Sequence, residues 1–197
     1  MRNSKRGPHD SRAFIAGRDC GAAIYEGDHF DGEIMRLIPV DPKNEEHVRF
    51  LYELFLARPE DAKISSKGAP PTFEEHRQFV ENHPYADWSL IEVQDPPSAG
   101  DEICWRAGNG GCVVGSVFIS QPARPSVVGD ELSADLLPSH RGKGYAEQAL
   151  RLMMEKHGPR RFVANVAPEN YASMALFKKL GFLLCQVTFE KAADDPA

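Results

Sequence analysis

The sequence has few cysteines, no long apolar run and no excess of positive charge. Its four cysteines form no CxxC pair and no pattern with histidine, which argues against a zinc site and against a disulfide framework. No apolar stretch approaches the roughly 20 residues of a membrane span, and a formal net charge of −6 disfavours general nucleic-acid binding. We therefore expect a cytoplasmic protein with no metal, membrane or nucleic-acid partner.

The N-terminal 32 residues lack the apolar content of a packed segment. They mix charged residues of both signs with glycine and histidine, and their one apolar piece, Ala13 to Ala16, is too short for a signal peptide. We expect residues 1–32 to form a polar, disordered extension and residues 191–197 a short tail. The chain length suits one enzyme domain, which we place at residues 33–190.

Two familiar phosphate-binding loops are also missing. The segment Gly142-Lys143-Gly144 has no third glycine, so it does not fit the dinucleotide fingerprint. No serine or threonine follows Lys143, and no glycine stands five residues before it, so the P-loop spacing fails as well.

What the same region does contain is a strand, a glycine turn and a helix. Leu132 to Leu137 is a short apolar segment that ends at Pro138, and an amphipathic helix begins near Tyr145. Gly142 and Gly144 remove two side chains where the first N–H groups of that helix lack intrahelical partners. Since the helix dipole also favours negative charge there, we expect this turn to hold a phosphate or pyrophosphate.

The rest of the chain predicts alternating short elements. Asn109-Gly110 is typical of a β-hairpin, Thr72 and Glu75 fit a capping box, and Gly115 marks a bulge, a close backbone approach or a simple packing accommodation. The predicted strands cover residues 34–40, 88–93, 103–107, 112–120, 132–137, 161–166 and 182–189. The predicted helices cover residues 45–57, 72–82, 145–157 and 170–180, the last with Gly181 at its end.

Two local motifs resemble the GNAT family of N-acetyltransferases. RGKGYA, residues 141–146, is similar to the family's loop that holds the pyrophosphate of acetyl-coenzyme A, and VAPENYASMALFKKLGF is similar to its closing motif. The resemblance covers roughly residues 33–190 and implies an α/β (α+β) fold with a mixed, mostly antiparallel central sheet flanked by helices. The element order is β-α-α-β-β-β-β-α-β-α-β. The sequence looks most like the branch of ribosomal-protein N-terminal acetyltransferases and their small-molecule relatives.

The resemblance also implies an activity. Acetyl-coenzyme A would be the co-substrate, with no metal, and the acceptor would be a primary amine of a small molecule, such as an amino sugar, or of a protein N-terminus. The amine would attack the thioester directly in a ternary complex of a monomer or homodimer. The implied coenzyme-binding residues are Leu136, Leu137, Arg141, Gly142, Lys143, Gly144, Tyr145, Ala146, Asn170, Ser173 and Phe177.

At two positions the sequence departs from the family pattern. Phe177 stands where many members have a tyrosine general acid, and Asn165 stands where several have a glutamate base. An alternative function therefore stays open, that of a catalytically silent module that binds acyl-coenzyme A. The candidate catalytic residues are Glu131 and Asn165. Glu131 either accepts a proton through water or is only a strand-end carboxylate. Asn165 either orients an amine or a water, or makes a structural hydrogen bond.

Several further residues have two interpretations each. The resemblance places the N–H that faces the thioester oxygen within Val117 to Ser120. His140 is expected on the loop surface and not as a base. Four residues form an acceptor wall or belong to the core, namely His76, His83, Tyr85 and Trp88.

Overall fold

A seven-stranded sheet forms the centre of the molecule. The computed structural model describes residues 25–28, 34–59, 69–94, 105–106, 111–120 and 129–188. The strands are β1 (Tyr25–Asp28), β2 (Ile34–Pro39), β3 (Asp87–Val93), β4 (Trp105–Arg106), β5 (Cys112–Ser120), β6 (Asp130–Leu136) and β7 (Phe162–Val163). The helices are α1 (Glu45–Leu56), α2 (Phe73–Glu81), α3 (Tyr145–His157) and α4 (Tyr171–Lys179), and a short 3-10 turn covers Pro138–His140.

The sheet is mixed and mostly antiparallel, as predicted. Its strand order is β1-β2-β3-β5-β6-β7, and β4 pairs with β5 beside this path. Every pairing is antiparallel except that of β6 with β7, which is parallel. The parallel pair is the one joined through the glycine turn and α3, since neighbouring parallel strands need a crossover connection.

Two apolar cores lie on opposite faces of the sheet. Successive strand side chains point to opposite faces, so neighbours such as Leu90 and Ile91 on β3 enter different cores. Leu90 packs with residues of α1 and α2, whereas Ile91 packs with residues of α3, against which α4 also packs. The sheet is thus covered by α1 and α2 on one side and by α3 and α4 on the other.

The capping box and the special role of Gly115 are confirmed. Thr72 accepts a hydrogen bond from the Glu75 N–H at 3.3 Å, and the Glu75 carboxylate accepts one from the Thr72 N–H at 2.7 Å. The register between β3 and β5 shifts beside Gly115, and a Cβ on that glycine would lie 2.2 Å from the Asp135 carbonyl oxygen. Gly115 therefore permits both a bulge and a close backbone approach.

Three elements differ from the sequence-based prediction. The predicted strand at residues 182–189 is not formed over 182–188, and the predicted strand at 161–166 is reduced to β7. Residues 25–28, expected in a disordered extension, form β1 and pair with β2. The Asn109-Gly110 turn lies outside the described residues, although β4 and β5 pair antiparallel as a hairpin requires. In the part of the chain described, no helix combines the length and the apolarity needed to cross a bilayer.

Candidate active site

A cleft opens where β6 and β7 stop pairing. The two strands share only two parallel pairs, Asp130 with Phe162 and Glu131 with Val163. Beyond Glu131 the strand β6 continues to Leu136, still paired with β5 on its other side. The edge of β6 that faces away from β5 therefore has no ladder partner over residues 132–136 among the described residues.

The backbone direction of β6 identifies the groups along this free edge. The Leu137 N–H donates to the Val114 carbonyl of β5 at 2.9 Å, and the Asp130 N–H donates to the Arg161 carbonyl on the β7 side at 3.0 Å. Because N–H groups alternate in direction along a strand, those of Ala134 and Leu136 point into the cleft. The cleft thus contains backbone donors that none of the described strands uses.

The glycine turn closes the wide end of this cleft. Gly142 and Gly144 both have left-handed backbone angles, with φ of +75° and +86°, and Gly144 is the N-cap of α3. Gly144 contributes no side-chain cap, and the first intrahelical bond runs from the Gln148 N–H to the Gly144 carbonyl at 3.1 Å. The first turn of α3 consequently offers N–H groups and the positive end of its dipole to an anion.

The Arg141 side chain stabilises the turn through two hydrogen bonds to backbone carbonyls. Its Nε donates to the Leu136 carbonyl at 3.1 Å, and its Nη2 donates to the Ala57 carbonyl at 3.3 Å. The guanidinium therefore links the end of β6, the turn and the C-terminal end of α1. Lys143, in contrast, is exposed at the tip of the turn.

An acidic residue in the first turn of α3 is neutralised by two cations. Glu147 is buried, and its carboxylate binds Arg151 at 3.0 Å and Lys179 of α4 at 2.5 Å. Burial alone would raise the pKa of Glu147, but the hydrogen bonds and charges of Lys179 and Arg151 outweigh burial and lower it. A phosphate at the turn is thus not opposed by an unpaired carboxylate, and α4 is held against α3.

The predicted coenzyme residues separate into two groups. Leu136, Arg141, Gly142, Lys143, Gly144 and Ala146 lie along the cleft edge and the turn. Tyr145 and Leu137 are buried, each 2% exposed, in the two different cores. The Leu137 N–H donates to the Val114 carbonyl, so this N–H belongs to the sheet and does not face the cleft.

The residues of the closing motif are placed around α4. The Asn170 side chain caps α4 by accepting a hydrogen bond from the Ser173 N–H at 3.0 Å. Phe177 is half-buried and meets the Phe182 ring edge-on, with centroids 5.1 Å apart. Asn165 is exposed just after β7, on the far side of the cleft from β6, and Glu131 is half-buried at the last β6–β7 pair.

Two expectations about this region are wrong. His140 is not on the loop surface: it is 2% exposed, and its Nδ1 lies 2.9 Å from the Ser139 hydroxyl. Residues Val117 to Ile119 pair with β3 on one side and β6 on the other, and Ser120 pairs with Glu131 of β6, so the two ladders use the N–H groups expected to face the thioester. The sequence did not identify the free edge, because that edge is defined only by the early separation of β6 from β7.

A cavity of about 340 Å³ lies on the sheet face covered by α1 and α2. It is lined by Leu51, Leu54, Phe55, Arg58, Pro71, Glu75, His76, Phe79, Tyr85, Trp88 and Ser116. Arg58 forms an ion pair with Asp135 of β6, and its guanidinium lies 5.2 Å from the centre of the Phe55 ring. Three of the four residues proposed for an acceptor wall line this cavity, and His83 does not.

The cavity keeps its two titratable ring side chains neutral near pH 7. Burial, assisted by the positive charge of Arg58, lowers the pKa of His76 to about 4. Burial raises the pKa of Tyr85; Arg58 opposes this shift, and the carboxylates of Asp135 and Glu131 add to it. Asp135 reaches the cavity through its ion pair with Arg58, which lines it.

The cleft and the cavity share one connection, which sequence reasoning missed. Ala57 accepts a hydrogen bond from Arg141 of the turn, and the next residue, Arg58, pairs with Asp135, which adjoins Leu136 on the cleft edge. Arg58 and Asp135 are 77 positions apart, so no local pattern brings them together. The sequence indicates this ion pair only by an arginine at a helix end and an aspartate in a strand, and both features are common in proteins. Within the described residues no group of three or more metal-binding side chains occurs.

The chain matches a family model described as acetyltransferase (GNAT) domain over residues 36–183. This match covers most of the chain, and the chain therefore belongs to the GNAT acetyltransferase family. Membership makes it an N-acetyltransferase that depends on acetyl-coenzyme A. No curated protein sequence matches the chain.

Solved structures share the fold. A RimL ribosomal L7/L12 alpha-N-protein acetyltransferase in complex with coenzyme A is 21% identical, with a TM-score of 0.52 and coverage of 74% of this chain and 77% of that one. An acetyltransferase from Thermus thermophilus is 24% identical, with a TM-score of 0.52 and coverage of 76% and 86%. A phosphinothricin acetyltransferase from Sinorhizobium meliloti in complex with acetyl-coenzyme A is 21% identical, with a TM-score of 0.53 and coverage of 76% and 75%.

Proposed function

We propose that the protein acetylates a primary amine of a small molecule or of a protein N-terminus by direct attack on acetyl-coenzyme A. One observation carries this proposal: the phosphate turn, the free edge of β6 and the aromatic cavity are joined through Ala57 and Arg58. An acyl thioester along the free edge would then meet an amine held at the cavity. Acetyl-coenzyme A supplies the activated acetyl group, and the chain has to supply position and charge stabilisation.

The coenzyme end of the site fits its ligand. The amides from Gly142 to Ala146 would hold the pyrophosphate, with the neutralised Glu147 behind them. The N–H groups of Ala134 and Leu136 would pair with the pantetheine chain and with the thioester oxygen. A backbone donor aimed at that oxygen stabilises the negative charge that develops during attack.

The reaction needs little chemistry from side chains. The amine nitrogen forms a bond to the acetyl carbon, the carbon–sulfur bond breaks, and one amine proton ends on the thiol. Holding both reactants in line can contribute about 7–11 kcal/mol of the barrier reduction. Glu131, at the narrow end of the cleft, would take the amine proton through water, and Asn165 would orient the amine or that water.

The names of two similar structures support both kinds of amine acceptor, a protein N-terminus and a small molecule. By their names, one acts on the N-terminus of ribosomal protein L7/L12 and another on phosphinothricin. Both acceptor types therefore belong in the first assay. A panel of N-terminal peptides, amino sugars, amino acids and polyamines is incubated with acetyl-coenzyme A, and free thiol is measured.

The competing function is a silent module that binds acyl-coenzyme A without turnover. Phe177 and Asn165 favour it, because neither side chain can exchange a proton in the role that the resemblance implies. Thiol release above the rate without amine, with at least one member of the panel, supports the enzyme. Tight coenzyme A binding with no amine-dependent thiol release across the panel would support the silent module instead.

A further inference from the structure

The aromatic cavity contains three buried nitrogen atoms that lack hydrogen-bond partners among the described residues. They are Nε of Arg58, Nε2 of His76 and Nε1 of Trp88, and all three residues line the same cavity. More than about 90% of buried polar groups in proteins have a partner, and an unpaired one is costly. Three such atoms around one cavity indicate a ligand that supplies the missing partners.

The chemistry of these atoms restricts that ligand. The nitrogens of Arg58 and Trp88 can only donate a hydrogen bond, and the Nε2 of a neutral His76 donates in one of its tautomers. The ligand group in front of them must therefore carry oxygen acceptors, such as a carboxylate or a carbonyl. The two obligate donors of Arg58 and Trp88 disfavour a cationic group in front of them, although aromatic walls alone would suit one.

The walls restrict the rest of the ligand. Phe79, Tyr85 and Trp88 pack edge to face, with ring centroids 5.9 Å apart for Phe79 and Tyr85 and 4.8 Å apart for Tyr85 and Trp88. The volume of about 340 Å³ lies at the small end of the range of about 300–1,000 Å³ for ligand pockets. It accommodates one ring-sized group that can make the same edge-to-face contacts.

The polar side of the cavity indicates the direction of the amine. Asp135 and Glu131 alternate with Ser133 on one face of β6, and Asp135 reaches the cavity through Arg58. Their carboxylates favour an amino group on the side nearest the free edge of β6. The oxygen acceptors and the ring then occupy the deeper part of the cavity, between α1 and α2.

We propose that the acceptor is an α-amino acid unit with an aromatic side chain, either free or at the N-terminus of a peptide. This inference rests on the proposed function. The ring packs against the cavity wall formed by Phe79, Tyr85 and Trp88, and the carboxylate or first peptide carbonyl accepts hydrogen bonds from Arg58, His76 and Trp88. The amine faces β6.

Four acceptors separate the parts of this proposal. L-phenylalanine and a peptide that begins with phenylalanine have the ring, the oxygen and the amine, whereas phenethylamine lacks the oxygen and L-alanine lacks the ring. We expect kcat/KM, measured as thiol release, to be at least about tenfold higher for phenylalanine or its peptide than for either truncated compound. A higher kcat/KM for L-phenylalanine indicates a free amino acid as acceptor, and a higher kcat/KM for the peptide indicates a peptide N-terminus.

Two variants test the donors. Trp88→Phe keeps a ring but removes Nε1–H, and Arg58→Lys keeps the charge beside Asp135 but removes Nε–H. Each should raise KM for the oxygen-bearing acceptor by about tenfold and change KM for phenethylamine by much less. Trp105→Phe is the matched control, because Trp105 packs on Phe50 outside the cavity and should change neither acceptor.

The outcomes distinguish this inference from the proposed function. Equal use of phenethylamine or alanine, a preference for a polyamine or amino sugar, or an equal loss on both acceptors in both variants would overturn the aromatic assignment alone. No amine-dependent thiol release with any acceptor would overturn both.

Discussion

Phe177 allows a test of whether a side-chain acid would assist the reaction. It is half-buried on α4 against Phe182, and a hydroxyl on its ring is the only difference from the tyrosine that the resemblance implies. Phe177→Tyr should keep the protein folded and raise turnover, most clearly below the thiol pKa of about 8.5, where a proton donor helps the thiol to leave. The pH profile of kcat for thiol release measures this effect.

The neighbouring ring supplies the control. Phe182→Tyr adds the same hydroxyl to the ring that packs against Phe177, and it should leave the pH profile of turnover unchanged. If Phe177→Tyr had the parent's turnover at every pH, the proton would have to leave by another route.

His76 makes the stability of the protein sensitive to acid. Its folded-state pKa of about 4 lies below the ordinary 6.5, so between these values the unfolded chain binds a proton that the native state does not. The contribution of His76 is therefore complete above about pH 6.5 and is lost as the pH falls towards 4. The difference corresponds to about 3 kcal/mol in the free energy of unfolding.

Urea denaturation at pH 7 and pH 4.5 tests this prediction. His76→Phe keeps an aromatic ring among Tyr52, Phe55 and Phe79 but cannot bind a proton, so it should lose less stability than the parent on acidification. Burial lowers the pKa of His47 as well, so part of the acid sensitivity should remain. Identical losses in parent and variant would show that His76 does not titrate in this way.

At the scale of single elements, the N-cap of α2 supports a wall of the cavity. Thr72→Ala removes one half of the capping box and should lower the free energy of unfolding by about 1 kcal/mol. For a protein of this size the melting temperature should fall by about 2–4 °C. Thr188→Ala, whose hydroxyl contacts only the exposed Gln186 side chain in the part of the chain described, should leave the melting temperature unchanged.

The strand β1 predicts that the N-terminal extension is not dispensable. It pairs with β2 from Tyr25–Leu37 to Asp28–Ile34, beside the buried Met35 and Leu37. A protein that begins at Met35 should therefore melt several degrees below one that begins at Ala23, which keeps β1. Equal melting temperatures for the two truncated proteins would mean that β1 adds nothing to stability.

Helices were predicted from the sequence more accurately than strands, for a physical reason. The capping box of α2 and the glycine turn before α3 depend on residues within a few positions of each other. A strand needs a partner: residues 182–188 have an apolar composition suited to a strand, yet Leu183 and Leu184 are 88% and 83% exposed, and no sheet bond orders them. The same limit explains why β1 was missed in a polar segment.

At the scale of the whole molecule, the two halves of the site were predictable to different degrees. The glycine turn lies within six consecutive residues, so its glycines and Arg141 form a local motif that the sequence alone displays. The cavity combines α1, α2, β3 and β5, and its ion pair with β6 joins positions far apart in the chain. Tertiary packing forms the cavity half of the candidate site, and no short sequence pattern encodes that packing.

The turn between β6 and α3 is proposed to bind the pyrophosphate of coenzyme A, and the rest of the site is built around it. Gly144→Asp tests it, because the added carboxylate would occupy and repel the anion position at the start of α3. Gly158→Asp is the control, since Gly158 also has a positive φ, +69°, but lies at the opposite end of α3. Both variants carry backbone strain, costing roughly 1–2 kcal/mol or more, which a melting curve records separately.

Calorimetric titration with coenzyme A is the direct measurement. Since charge-assisted hydrogen bonds are worth about 1.5–3 kcal/mol each, Gly144→Asp should bind at least about tenfold more weakly than the parent. Gly158→Asp should bind as the parent does. If a folded Gly144→Asp bound coenzyme A as tightly as the parent, the phosphate turn, and the active site built around it, would be contradicted.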